Sequence, residues 1–135
     1  MRLRAMAKIN LGLDVVRKRE DGYHDVRMVM QTIRMYDFLE ITPKKSKGIF
    51  LTTNLPYVPV DERNLVYKAA KLLMDEFHVD DGVRIQLQKF IPVAAGMAGG
   101  SSDAAATLVG INRIFHLGLT PEELMRRGVA IGADV

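Results

Sequence analysis

The chain has no cysteine, which removes disulfides, thiol chemistry and cysteine-built zinc sites from consideration. Aromatic residues make up only 7% of it, and they are not interleaved with basic patches as in a nucleic-acid-binding surface. No apolar run approaches the roughly 18 residues that span a membrane. The N-terminus alternates arginine with apolar residues and has no signal-like apolar block, so the expected compartment is the cytoplasm. Charge of one sign is nowhere gathered into a long tract. The short runs Arg17-Lys18-Arg19 and Lys44-Lys45-Ser46-Lys47 fall in expected turns and read as solvated loops. There is no internal repeat, low-complexity tract or linker.

What remains is an ordinary soluble composition: 135 residues, 48% apolar, 26% charged, formal net charge +3. That length suits one domain with a real core. A mildly basic balance suits an anionic small molecule and also suits nucleic acid. Residues 3–16 read as extended, with a break near Gly12, and Asp21-Gly22 signals a hairpin. Val26, Met28, Met30 and Thr32 alternate with their neighbours as a strand does, and residues 38–42 and 49–53 read as two more strands joined by residues 43–48. Residues 64–77 carry an apolar stripe of Leu65, Ala69, Leu72, Leu73 and Phe77 at helical spacing. Thr120-Pro121-Glu122-Glu123 is a helix start, with a capping hydroxyl, proline at the first helical position and a capping-box glutamate. Gly128 is expected to end or kink that helix. Strands mostly precede helices, which favours an α+β fold. His78 and His116 are isolated, lack metal-ligand spacing and read as surface residues near helix ends.

The segment that points to chemistry is Pro92-Val93-Ala94-Ala95-Gly96-Met97-Ala98-Gly99-Gly100-Ser101-Ser102-Asp103. The alternating stretch of residues 83–89 precedes it and a helical pattern opening at Ala104 follows. On that helix Ala105, Leu108, Val109, Asn112 and Phe115 fall roughly on one face. Strand, glycine-rich loop and helix N-terminus, in that order, make a cradle of unpaired N–H groups for a polyphosphate. The spacing fits neither GxxxxGK[ST] nor GxGxxG. The plain alternative is a flexible loop with Ser101 or Ser102 capping the helix.

This loop resembles the phosphate loop of the GHMP kinases. Ala7-Lys8-Ile9-Asn10-Leu11-Gly12-Leu13, then Asp21-Gly22-Tyr23-His24, and Gly132-Ala133-Asp134-Val135 at the end resemble that family's other motifs in the right order. Within it, the Tyr23-His24 pair resembles the branch acting on cytidyl-diphospho-methylerythritol. The resemblance implies an α+β fold of the ribosomal protein S5 domain 2-like type. It also implies phosphoryl transfer from ATP, with Mg²⁺, to an alcohol of that small-molecule substrate. Neither a nucleic acid nor a membrane is implied as partner, and the metal ligands and oligomeric state are left open. The family's chains run to about twice this length, so residues 1–135 are expected to be the N-terminal, ATP-binding domain without the second one.

By resemblance Lys8 and Asp134 are catalytic, the lysine beside the reacting hydroxyl and the aspartate as base. The loop residues Pro92 to Ser102 hold ATP, with Ser101 or Ser102 reaching Mg²⁺. Asn64, Leu65 and Lys89 border the adenine, Asn10 bonds the substrate, and Tyr23 and His24 contact the cytosine. Without the resemblance, each has a plainer reading. Lys8 is a solvated strand residue, Asp134 an exposed loop residue, and Tyr23 and His24 a hairpin-closing aromatic and a surface histidine. Asn64 is a helix cap, Leu65 a core residue and Lys89 a solvated charge. Two alternatives stay open, another GHMP small-molecule kinase and a basic RNA-binding module on an S5-like fold.

Overall fold

A computed structural model describes residues 1–18, 24–93, 99–132 and 135, and for residues 8–18 and 24–34 it describes the backbone. In chain order the elements are β1 (Arg2–Lys18), β2 (His24–Lys44), β3 (Ile49–Thr53), α1 (Leu65–Glu76), β4 (Gly82–Gln88), α2 (Gly99–Ile114) and α3 (Pro121–Ile131). They form a four-stranded sheet in the order β1-β2-β4-β3. β2 is antiparallel to both neighbours, and β3 runs parallel to β4. A parallel pair needs a crossover element, and α1 supplies it. Strands therefore do not all precede helices, although the fold is α+β as expected.

β1 and β2 form a long ribbon, of which β4 pairs only with residues 38–44. The register shifts between Met6 and Lys8, Asn10 and Gly12, and Val15 and Arg17. The second shift is the break expected near Gly12. The tip of the ribbon, with Asp21 and Gly22, lies outside the described residues. The strand expected to begin at Phe38 is instead continuous with the preceding one. Ile33 to Tyr36 contains no glycine, proline or asparagine to interrupt it. Pro43 stays in the strand, opposite Val83, rather than opening the loop.

Period-two alternation decides what is buried. Ala5, Ala7, Leu39, Ile41, Leu51, Val83, Ile85 and Leu87 face the helices and are buried. Met6, Phe38 and Phe50, one step out of phase, are exposed on the other face. Phe38 meets the exposed Phe90 edge to face, with centroids 5.8 Å apart. α1 contributes Val66, Ala69, Ala70, Leu73 and Met74 to the core. The buried set is thus shifted one position from the stripe read in the sequence, and Leu65 and Leu72 are only half-buried.

α2 begins at Gly99, five residues before the helical pattern expected from Ala104, and buries a different face from the one expected. Gly99, Asp103, Ala104, Thr107, Leu108, Gly110 and Ile111 are buried. Small residues let the helix lie close to the sheet: a Cβ on Gly110 would come within 2.5 Å of Ile41 Cδ1. The expected face turns toward α3, with Ala105, Val109 and Asn112 lining a groove between the two helices. There the Asn112 side chain both donates to the Leu119 carbonyl and accepts from its N–H, each at 3.0 Å. Thr120 Oγ1 accepts from the Glu123 N–H at 3.2 Å and caps α3 as expected. Gly128 neither ends nor breaks that helix; it is buried, and an added Cβ would sit 3.1 Å from Val135.

α1 and α2 end alike. His78 and His116 both have positive φ, 51° and 52°. In α1 the Val79 N–H reaches the Met74 carbonyl and the His78 N–H the Asp75 carbonyl. In α2 the Leu117 N–H reaches Asn112 and the His116 N–H reaches Arg113. Both are Schellman ends, with histidine where glycine is usual and a half-buried Val79 or Leu117 following.

Candidate functional site

The parity that buries Val83, Ile85 and Leu87 continues one step past β4 to Lys89 and another to Ile91, and both are buried. On β2 the same parity carries inward from Ile41 and Leu39 to Asp37, which is fully buried. The β2–β4 register runs from Lys44↔Gly82 to Phe38↔Gln88, so one further step sets Asp37 opposite Lys89. Lys89 Nζ donates to Asp37 Oδ2 at 2.5 Å and to Asp103 Oδ2, in the second turn of α2, at 2.7 Å. The other Asp37 oxygen accepts from the Phe90 and Ile91 N–H groups at 2.6 and 2.8 Å. Asn54, just past β3, accepts from the Lys89 N–H at 2.7 Å and donates to its carbonyl at 3.2 Å.

Two carboxylates and one ammonium thus share a dry site. Burial works against the Lys89 charge, but the hydrogen bonds and attraction of Asp103 and Asp37 outweigh it and raise its pKa. Burial pushes the Asp103 carboxyl up to about 7, against the pull of Lys89 and with the added repulsion of Asp37. Asp103 Oδ1 has no hydrogen-bond partner among the described residues, which accords with a carboxyl that takes up a proton near neutrality.

Gly99 and Gly100 start α2, so the N–H groups of residues 99–102 lie in its first turn, where a helix has no acceptors of its own. Gly99 is tightly enclosed: a Cβ there would come 3.0 Å from Ile91 Cγ2 and 3.3 Å from Lys89 Nζ. Gly100 faces outward, and its nearest neighbour would be Leu65 Cδ1 at 3.8 Å. The start of α2 thus rests on the buried Lys89 cluster, and it is the first-turn N–H groups and the helix dipole, not the cluster's own charge, that suit an anion. Ser101 and Ser102 are half-buried inside the first turn, so neither is the cap that the plainer reading supposed. Among the described residues no group of three or more histidines or acids stands ready to hold a metal. A Mg²⁺ ion here would take at most a serine hydroxyl from this turn and the rest of its shell from phosphate and water.

The structure brings together Leu65, Lys89, Gly99, Gly100, Ser101 and Ser102. Pro92 and Val93 are exposed on the approach to the loop. Asn64 caps α1: its Oδ1 accepts from the Val66 N–H at 2.9 Å while Nδ2 donates to the Pro59 carbonyl at 2.8 Å. Lys89 is not a solvated charge, since its ammonium is fully engaged inside the protein. Lys8 and Asn10 lie on β1, opposite Thr32 and Met30, and His24 opens β2 opposite Lys18. Eight residues separate His24 from Thr32 on β2, roughly 27 Å in a straight strand. The shifts at Asn10/Gly12 and Val15/Arg17 are the points at which such a ribbon bends. Tyr23, Ala94, Ala95, Gly96, Met97, Ala98 and Asp134 lie outside the described residues. Sequence reasoning assigns no role to Asp37 or Asp103; strand parity was the available signal for Asp37.

Residues 64–135, more than half of the chain, match the family model described as the GHMP kinases N terminal domain. The chain is 57% identical over all 135 residues to the 4-diphosphocytidyl-2-C-methyl-D-erythritol kinase of Lachnospira eligens, covering 47% of that protein. It is 53% identical to the protein of the same name from Clostridium perfringens, again over 135 residues and 47% of its length. The chain therefore spans about half the length of these curated relatives. A crystal structure of 4-(cytidine 5'-diphospho)-2C-methyl-D-erythritol kinase superposes on the whole chain with a TM-score of 0.86 at 37% identity, over 47% of its own length. A mevalonate kinase superposes at 0.74 with 16% identity, over 99% of this chain and 46% of that one, which speaks to the fold alone. With the fold reproduced throughout and the family model matched over more than half its length, the chain belongs to the GHMP kinases.

Proposed function

We propose that this chain is the ATP-binding part of a kinase that phosphorylates the 2-hydroxyl of 4-(cytidine 5'-diphospho)-2-C-methyl-D-erythritol, a step of the non-mevalonate isoprenoid pathway in the cytoplasm. The observation that carries the reading is the 57% identity across every residue of the chain to a protein of that name. The residue chemistry supports it. Phosphoryl transfer needs its phosphates held, its charge offset and the attacking hydroxyl oriented. The first turn of α2 and the glycine loop hold the phosphates through backbone N–H groups; Gly100, which faces outward, leaves them no side chain to clash with, and Gly99 lets the turn sit close on Ile91 and Lys89. Mg²⁺ supplies charge neutralisation at the phosphates, reached from this chain by Ser101 or Ser102. Lys8 keeps a carboxylate beside it ionised and offsets charge growing on the transferring group, and Asp134 takes the hydroxyl proton. Asn10 orients the substrate. Tyr23 and His24 receive the cytosine. Asn64 and Leu65 border the adenine, and Lys89 shapes that border from below rather than by reaching out.

The second reading is another GHMP small-molecule kinase, favoured by the shared fold with mevalonate kinase and with a homoserine kinase at a TM-score of 0.69. A coupled assay of ADP release decides between them. It is run on the 135-residue chain and on the same chain joined to the second half of the L. eligens relative. Release from the joined chain that depends on the cytidyl-diphospho substrate is the expected result. Release driven instead by mevalonate or homoserine overturns the substrate, and release with none of them overturns the kinase reading. Gly99→Val in the joined chain is expected to weaken ATP; unchanged nucleotide affinity would remove the loop from the site.

A further inference from the structure

In the sequence, residues 92–98 lie between Ile91 and the start of α2, and one buried cluster holds the chain on both sides of them. On the strand side, Asp37 Oδ1 binds the Phe90 and Ile91 N–H groups, and Asn54 fixes the Lys89 backbone from both directions. On the helix side, Asp103 is one turn in from Gly99. Lys89 Nζ joins the two, bonded to Asp37 at 2.5 Å and to Asp103 at 2.7 Å. All three side chains are at most 6% exposed, so water does not compete for these bonds.

We propose that Asp37, Lys89 and Asp103 are positioning residues that clamp the two ends of the glycine loop at a fixed separation. The N–H groups at the start of α2 are then aimed before a nucleotide arrives. Holding donors in place in advance lowers the ordering cost of binding. The ammonium of Lys89 serves the nucleotide through the loop and not by touching it. A purely structural ion pair would stabilise the fold as a whole. A clamp couples the two segments that flank the loop, and a change at Asp103 on α2 is therefore felt at the amides of Phe90 and Ile91.

The inference rests on reading the loop as a phosphate cradle, but its test does not. Amide hydrogen exchange is followed by NMR in the 135-residue chain and in Asp103→Ala, without nucleotide. The clamp predicts exchange about tenfold faster at Phe90, Ile91, Ala104 and Ala105, the weight of one hydrogen bond to a charged group. Ile85 in β4 and Leu73 in α1 change less. Asp103→Asn, which keeps an acceptor for Lys89 in the same shape, restores most of the protection. If Asp103→Ala does not fold, Asp103→Asn carries the comparison, with the same pattern at smaller size. Unchanged Phe90 and Ile91, or all amides accelerating in step, overturns the clamp. Adding MgADP to the parent chain tests the cradle separately: no slowing at residues 99–105 counts against nucleotide binding and leaves the exchange result standing.

Discussion

Two ion-paired clusters hold this molecule together in different ways. Arg127 grips Glu76 with two parallel hydrogen bonds of 2.9 and 2.7 Å, tying α3 to α1 at the surface. Lys89 grips Asp37 and Asp103 with two bonds of 2.5 and 2.7 Å inside the protein. The geometry hardly differs; the surroundings do. Near water, charge attraction is weak and either partner can be replaced by solvent. In the interior, each charge has lost its hydration and depends wholly on the others, so removing one leaves the rest stranded. The surface pair is a convenience of packing, whereas the buried cluster dictates where three segments must be.

The sharpest way to break that contrast is Lys89→Met. It deletes the only cation bonded to the two buried carboxylates among the described residues and is expected to cost about 3–5 kcal/mol, read from urea unfolding. A loss below about 1 kcal/mol would mean that the buried site behaves like a surface one.

A smaller effect follows from the raised Asp103 pKa, moved from 3.8 to about 7. The folded state holds this proton more tightly than the unfolded state. The contribution of this group to stability is therefore fully present below about pH 4, falls as pH rises toward 7, and is gone above that. Asp103→Asn is expected to flatten this slope in the urea midpoint measured across that range. Parallel slopes in the two proteins would show that Asp103 does not titrate there.

Arg127→Ala should do least. The shift in midpoint is expected to be hard to separate from scatter at physiological salt and to vanish at high salt. A loss as large as that of Lys89→Met would erase the distinction between the two clusters.

Much of the fold could be read in advance, because it depends on patterns that sequence displays openly. Thr120-Pro121 announces α3, the β-strands show their alternation, and three glycines with two serines mark the loop and its helix. The family followed from three motifs in order. The misses share a physical cause. On α2 the buried face is made of glycine, alanine and threonine, so an apolar-stripe search finds the neighbouring face instead. Lys89, Asp37 and Asp103 look like surface residues by type; the strand phase with Leu87 and Leu39 betrays the burial of the first two, and nothing comparable marks Asp103. The ion cluster also needs a strand register that no single segment contains.

The Schellman ends of α1 and α2 have a consequence for how robust this chain is. Each sets a histidine in a left-handed conformation that costs an L-residue about 1 kcal/mol relative to glycine. The penalty is borne because Val79 and Leu117 anchor the turn from the core side. The protein therefore sits below the stability its own architecture permits, at two exposed positions on helix ends. Variation there is free to drift toward glycine or asparagine and harden the fold, with the glycine loop and its charged base left as they are.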